Sequence, residues 1–259
     1  MRYLAVFLAC LPLAAHDMWL EPATFLPKEG DIVAIKLRVG QDLLGDPLVY
    51  DSKLIKSFVA EDSSGRRNVV GRDGSNPAGL VRVAAAGLLE VGYYSNPSIV
   101  EQAPAKFDQY LKEEGLFAIV ALRAGRKDSG SAVKELFSRC AKSLLYSGAG
   151  EAQKDKALGM PLELVAERNP YALKAGEELP VRLTWEGKPL ANALVIAMNR
   201  QNPTEKIKLR TAADGRVKLP MTKGGMWLIK TVHMIPAAAG EDAEWHSYWA
   251  SLTFELGAR

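Results

Sequence analysis

The sequence predicts a mainly β fold in which two β-sandwich-like domains are separated by a helical segment. Apolar and polar residues alternate over 33–39, and seven short strand-like segments follow residue 161. Between 101 and 150 the apolar residues instead recur at helical spacing. We therefore divide the chain into a signal peptide at 1–15, an N-terminal β domain at 16–100, a helical segment at 101–150 and a C-terminal β-sandwich domain at 160–259.

The composition excludes several classes of protein. The chain has 259 residues, of which 48% are hydrophobic and 24% charged, which suits one large or two ordinary soluble domains. A formal charge of +3 is too balanced for a nucleic-acid-binding protein, so we expect no nucleic acid partner. Two cysteines cannot form a disulfide framework or a four-thiolate zinc site.

The N-terminal segment is typical of a short secretory signal peptide. A basic residue precedes an apolar run over 3–13, which is too short for a membrane span, and small residues follow as far as Ala15. We predict cleavage after Ala15, with lipidation at Cys10 as the alternative. The mature protein is then periplasmic or secreted and has no membrane span after signal removal.

Strands are predicted in both β domains from alternation and from the turn residues between segments. The N-terminal strands are expected at 33–39, 54–60, 80–84 and 88–94, with Val33, Ile35, Leu37 and Val39 on one face. The C-terminal strands are expected at 162–167, 179–185, 193–198, 206–210, 216–219, 226–234 and 245–256.

Two helices are predicted in the segment between the β domains. Pro104 can open the first helix and Gly115 can close it. The second is expected over 132–146, because apolar residues recur there along one helical stripe. Cys140 lies in that stripe, which indicates a buried packing residue and not a reactive thiol.

The C-terminal domain contains two phrases that resemble a known sandwich. The segments 187–193 (GKPLANA) and 213–216 (ADGR) are similar to the loop and the Asp-Gly turn of the carboxypeptidase-regulatory, or transthyretin-like, fold. The resemblance implies that fold for the C-terminal domain.

His16 becomes the first residue of the mature protein if cleavage follows Ala15. Its α-amino group and its imidazole can then chelate one metal ion, as in a histidine brace. The alternative is that a polar residue simply follows the cleavage site. The carboxylate of Asp17, next to this terminus, is a candidate oxygen ligand.

The other two histidines, His233 and His246, flank one predicted turn. A symmetric hairpin would place them directly opposite each other, with Cβ atoms about 5 Å apart, close enough to share a metal ion. Glu244 is a nearby candidate ligand or hydrogen-bond partner. The alternative is a structural role, since His246 alternates in phase with an apolar strand face.

Six phrases along the chain resemble the exported bacterial family called Domain of Unknown Function 4198. They are 16–22 (HDMWLEP), 106–116 (KFDQYLKEEGL), 139–144 (RCAKSL), 159–168 (GMPLELVAER), 224–234 (GGMWLIKTVHM) and 244–256 (EWHSYWASLTFEL). The resemblance implies a periplasmic protein with β-sandwich domains that handles nickel, cobalt or a similar metal. It carries His16 and His233 over as metal residues, whereas the family often has an acidic residue at the position of His246.

Metal binding is the leading functional hypothesis from the sequence. The protein is expected to hold a divalent Ni, Co, Cu or Zn ion through His16, His233 and His246, with Asp17 or Glu244, for capture or for delivery to a metal uptake permease. One alternative is a copper histidine-brace oxidoreductase acting on polysaccharide, and another is a carbohydrate-binding or adhesion module. No nucleotide-binding or catalytic-triad motif is evident.

Overall fold

The computed structural model describes residues 16–125, 130–148 and 153–257. The predicted signal peptide, its cleavage site and Cys10 lie outside these residues. Strands dominate the described chain, and two short helices follow each other near its middle. The prediction of a mainly β fold with a helical insertion is confirmed.

In the described part of the chain, eight strands precede the two helices and nine strands follow them. The strands before the helices are β1 (Asp17–Pro22), β2 (Ile32–Gln41), β3 (Leu44–Leu48), β4 (Ile55–Asp62), β5 (Gly65–Asn68), β6 (Gly79–Arg82), β7 (Leu88–Ser95) and β8 (Ser98–Gln102). The helices are α1 (Pro104–Glu113) and α2 (Phe117–Ala124). The strands after them are β9 (Val133–Tyr146), β10 (Leu162–Ala166), β11 (Glu178–Trp185), β12 (Lys188–Pro189), β13 (Leu194–Asn199), β14 (Asn202–Arg210), β15 (Arg216–Pro220), β16 (Gly225–Pro236) and β17 (Trp245–Leu256).

A nine-stranded sheet forms the centre of the molecule. Its order is β14-β13-β16-β17-β9-β7-β4-β5, and β8 also pairs with β9. The pair formed by β17 and β9 is parallel, from Trp245 opposite Glu135 to Thr253 opposite Ser143. This pair joins the strands of the two halves of the chain into one continuous sheet.

The N-terminal sheet covers one face of the central sheet. It has the order β1-β2-β3, with β6 beside β2. The four alternate residues of 33–39 that were predicted to share a face are all buried, and the first three of them pack in one core with Val91 and Leu145 of the central sheet. The predicted alternation is confirmed, because only one side of β2 faces the core.

The C-terminal sheet covers the opposite face. It has the order β10-β11-β12, with β15 beside β11. Cys140 and Leu144 of β9 contact the core beneath this sheet, whereas Ala141 and Leu145 contact the core beneath the N-terminal sheet. Strand β9 is therefore buried on both faces. The transthyretin-like relationship of this half stays a prediction.

Helix α1 begins and ends where the sequence predicts. Pro104 occupies its first turn, and Gly115, with φ of +65°, allows the chain to reverse after it. Phe107 and Leu111 of the helix pack on Trp249 of β17, so the helices lie on the same face of the central sheet as the N-terminal sheet and cover the part that it leaves open.

The second predicted helix, over 132–146, is wrong: this segment forms the 14-residue strand β9. Apolar side chains at 133, 136, 137, 140 and 144 match a helical stripe, but here 133 and 137 contact one core and 140 and 144 contact another. A strand buried on both faces need not alternate, so its periodicity does not distinguish it from a helix. The prediction that Cys140 is buried is confirmed.

Candidate functional site

The histidines of the β16–β17 hairpin lie on the same face of the central sheet. His233 pairs with Tyr248, so the predicted direct pairing of His233 with His246 is wrong by two residues. The loop at 237–244, in which Gly240 has φ of +95°, fixes this register. An even shift keeps both side chains on one face, so His233 and His246 are diagonal neighbours.

These imidazoles belong to a group of polar and aromatic side chains that we call the imidazole cluster: the fully buried Ser138 and the half-buried Trp185, His233, His246 and Tyr248. The ring of His246 stacks on that of Tyr248, with centroids 4.3 Å apart. Its Nε2 lies 3.0 Å from the Ser138 hydroxyl, and its Nδ1 lies 3.2 Å from the Tyr248 hydroxyl. The Trp185 ring lies 4.8 Å from that of His233 and 4.6 Å from that of Tyr248.

Both imidazoles are held in their neutral form. Burial lowers the pKa of His233 below its ordinary value of 6.5. Burial also lowers the pKa of His246, and the charge of the nearby Glu241 carboxylate opposes part of that shift. A neutral imidazole has a nitrogen lone pair available for a metal ion.

The carboxylates of the hairpin loop do not complete a metal site in this conformation. The Glu244 amide donates to the Lys134 carbonyl at 2.9 Å, and Lys134 Nζ pairs with Asp242 at 2.9 Å. Across residues 16–125, 130–148 and 153–257, no three His, Cys, Asp or Glu side chains are spaced to hold one ion.

His16 and Asp17 lie on the other side of the central sheet. The Asp17 carboxylate pairs with Lys230 of β16 at 2.6 Å, and Lys230 and His233 are three residues apart on one strand, so they face opposite ways. The predicted single centre that combines His16 with His233 is therefore wrong. The sequence does not reveal which face of the sheet β1 covers, and that choice separates the two histidines.

A cavity of about 330 Å³ opens beside Asp17, and we call it the charged cavity. Ionisable side chains dominate its lining; they include Asp17, Glu113, Glu114, Lys206, Lys208 and Lys230. At its base the Lys230 ammonium donates to Asp17 Oδ1 at 2.6 Å and to Glu114 Oε1 at 2.8 Å.

Burial changes the pKa values of the ionisable groups at the base of the charged cavity. Burial opposes the charge of Lys230, but the Asp17 and Glu114 carboxylates outweigh it and raise the pKa of Lys230 above its ordinary value. Burial raises the pKa of Glu114, Lys230 opposes this, and the Asp17 charge adds to the rise. Sequence reasoning missed Lys230 and Glu114. The available signal was a lysine within the apolar run at 226–234.

A second buried network lies next to this base. Glu135 accepts hydrogen bonds from Gln102 at 2.8 Å, from the Tyr110 hydroxyl at 3.3 Å and from Ser247. Trp249 Nε1 donates to Ser247 Oγ at 3.0 Å, and its ring stacks on Tyr110. Burial raises the pKa of Glu135 to about 7 despite these donors.

The comparisons with known proteins identify a family but no activity. One solved structure, described as "D0-D1 domain of Intimin", is similar over 91% of this chain and 96% of its own, with 12% identity and a TM-score of 0.21. No curated protein matches the chain. Among the residues that the structure describes, no helix combines the length and apolar character that crossing a bilayer requires. The model of the domain of unknown function DUF4198 matches residues 13–235, so the protein belongs to the DUF4198 family.

Proposed function

We propose that the chain is an exported protein that binds a transition-metal ion at the imidazole cluster, for capture or delivery. The observation that carries the proposal is the placement of His233 and His246 as diagonal neighbours on one face of a hairpin. Their lowered pKa values leave both rings neutral near pH 7. Neutral imidazole is a ligand for Ni, Co, Cu and Zn.

His233 is the more readily engaged ligand of the two, although its ring is the more deeply buried. Its ring makes no hydrogen bond with the residues that the structure describes, so a metal would displace no protein partner from it. In His246 both ring nitrogens contact hydroxyl groups. A metal would replace one of these contacts, and the other would orient the ring.

Glu241 is the carboxylate best placed to add an oxygen ligand. Its charge already acts on His246, and it lies in the exposed loop between β16 and β17. A small closure of this loop would complete a centre with two nitrogens and one oxygen, leaving further positions to water.

His16 would form a separate, second ligand group. Cleavage after Ala15 would free its α-amino nitrogen, and its carbonyl oxygen is held by Arg139 Nη1 at 2.7 Å. Delivery to an uptake permease is the role that the family resemblance implies, and it is part of the same proposal.

Calorimetric titration of the mature protein with Ni, Co, Cu and Zn tests the proposal. The double variant, His233→Gln with His246→Gln, is made in the His16→Ala background so that the second ligand group is absent, and His16→Ala alone is the matched control. We expect the double variant to lose at least tenfold in affinity for the best-bound metal, and His16→Ala to keep the site at the cluster. Retention of wild-type affinity by the double variant would exclude the cluster as the centre.

A further inference from the structure

We propose that the charged cavity binds a small zwitterion, specifically a free α-amino acid. This binding is separate from metal binding at the imidazole cluster, because the charged cavity and that cluster lie on opposite faces of the central sheet.

Carboxylates outnumber ammonium groups at the base of the charged cavity, where the buried Arg139 guanidinium also acts on Asp17. Two carboxylates, Asp17 and Glu114, share the single ammonium of Lys230, and all three side chains are at most 10% exposed. The pKa of Glu114 is raised because burial and the Asp17 charge oppose its ionisation. A second ammonium, supplied by a ligand, would stabilise the ionised pair.

Glu114 has an oxygen available to receive that ammonium. Its Oε1 accepts from Lys230, while Oε2 accepts from no residue in the described part of the chain and is not sealed from solvent. Hydrogen bonds between charged groups are stronger than those between neutral ones. Glu114 Oε2 is therefore the ammonium acceptor of the proposed site.

Positive charge comes from strand β14, which borders the charged cavity at the edge of the central sheet. Lys206 and Lys208 are alternate residues of β14 and point to the same side of that strand. Lys206 is paired with Asp42 at 2.6 Å. Lys208 makes no ion pair with any described residue, so it is free to bind a ligand carboxylate.

The size and the charge together select the ligand class. A volume of about 330 Å³ lies at the lower end of the range for small-molecule sites. A bare metal cation is disfavoured because Lys230 occupies the position between the carboxylates. A simple anion is disfavoured by those same carboxylates. A molecule with an ammonium and a carboxylate complements the carboxylates of the base and the lysines of β14.

Ligand-detected NMR and calorimetry with the full mature chain test the inference. The probes are the individual free α-amino acids at millimolar concentration, with ethylamine and propionate as ligands that carry one charge each. We expect at least one amino acid to bind, and both single-charge probes to bind at least tenfold more weakly.

The test uses variants of exposed lysines and leaves the buried base of the charged cavity unchanged, so a loss of binding does not result from unfolding. Lys208→Ala should weaken amino acid binding at least tenfold, whereas Lys218→Ala, on β15 of the C-terminal sheet, should leave it unchanged. The His233→Gln/His246→Gln variant should bind the amino acid normally, which separates this result from the metal proposal. Absence of binding by every amino acid, or full binding by Lys208→Ala, would overturn the inference.

Discussion

Arg139 holds the main chain of His16: its Nη1 donates to the His16 carbonyl oxygen across 2.7 Å. The guanidinium is buried and lies over the rings of Trp249, at 4.8 Å, and Phe137, at 5.0 Å. Chain termini usually fray unless they are tied down. The residue after the predicted cleavage site is instead fixed to the central sheet.

Loss of this guanidinium should destabilise the protein and release the main chain of His16. We expect Arg139→Ala to lower the free energy of unfolding by about 2–4 kcal/mol, since it removes cation–π contacts and a buried charge-assisted hydrogen bond. Urea unfolding measures the effect. The exposed Arg72→Ala serves as the control, with a change within about 0.5 kcal/mol. Equal stability of both variants would contradict this account.

Removal of Lys230 should leave two unpaired carboxylates at the base of the charged cavity. We expect Lys230→Met to cost about 3–5 kcal/mol at pH 8. The cost should be smaller at pH 5, because Glu114, whose pKa is raised by burial, can then take up a proton. Adding Asp17→Asn and Glu114→Gln to Lys230→Met should recover most of the loss, as followed by urea unfolding at both pH values.

Glu90 should make stability depend on pH. Burial raises its pKa from 4.5 to about 7, with the Asp155 charge adding to the rise. The folded state therefore holds this proton more tightly than the unfolded state, so its contribution is full below 4.5 and is lost as pH rises to about 7. Glu90→Gln should be more stable than the wild type at pH 8 by on the order of 1–3 kcal/mol, with a smaller gain at pH 4.5. A gain that does not vary with pH would exclude this titration.

Metal binding at the imidazole cluster should tolerate mild acid. Protons compete with metal ions for imidazole nitrogen, and the pKa values of His233 and His246 are both lowered. We expect the metal affinity to stay level from pH 8 to 6.5 and to decline only below pH 6.5, the ordinary histidine pKa. Calorimetry across pH 5–8 provides the measurement. A decline that begins above pH 7 would contradict neutral, buried ligands.

Cys140 should be unreactive in the folded protein. Burial raises the pKa of its thiol to about 12, so almost none is thiolate at pH 8. Iodoacetamide should leave the Cys140 peptide unmodified in native buffer and alkylate it in concentrated urea, as read by mass spectrometry. Rapid native alkylation would show that the strand opens.

The strands that alternate, or that lie between clear turns, could be predicted from the sequence. The segment predicted at 245–256 forms β17 with the same bounds, and the predicted face of 33–39 is buried. In these segments the pattern of burial follows the side-chain period directly. Strand β9 escaped prediction because both of its faces are covered, which removes the alternation.

The relative positions of the three histidines were harder to predict than the strands that carry them. That His233 and His246 share one face depends on an even register shift, which a loop of this length does not specify. The separation of His16 from His233 depends on which face β1 covers, and that is decided by tertiary contacts such as the pairing of Asp17 with Lys230. Neither relationship is local in the sequence.

The parallel pairing of β17 with β9 also bears on how the chain folds. Residues 245–253 meet 135–143, so the middle of the central sheet is made from segments about one hundred positions apart. Such a high contact order predicts slow folding, with both halves exposing unpaired strand edges until β17 inserts. The insertion of this strand is therefore the step at which chaperones would offer the most protection against aggregation.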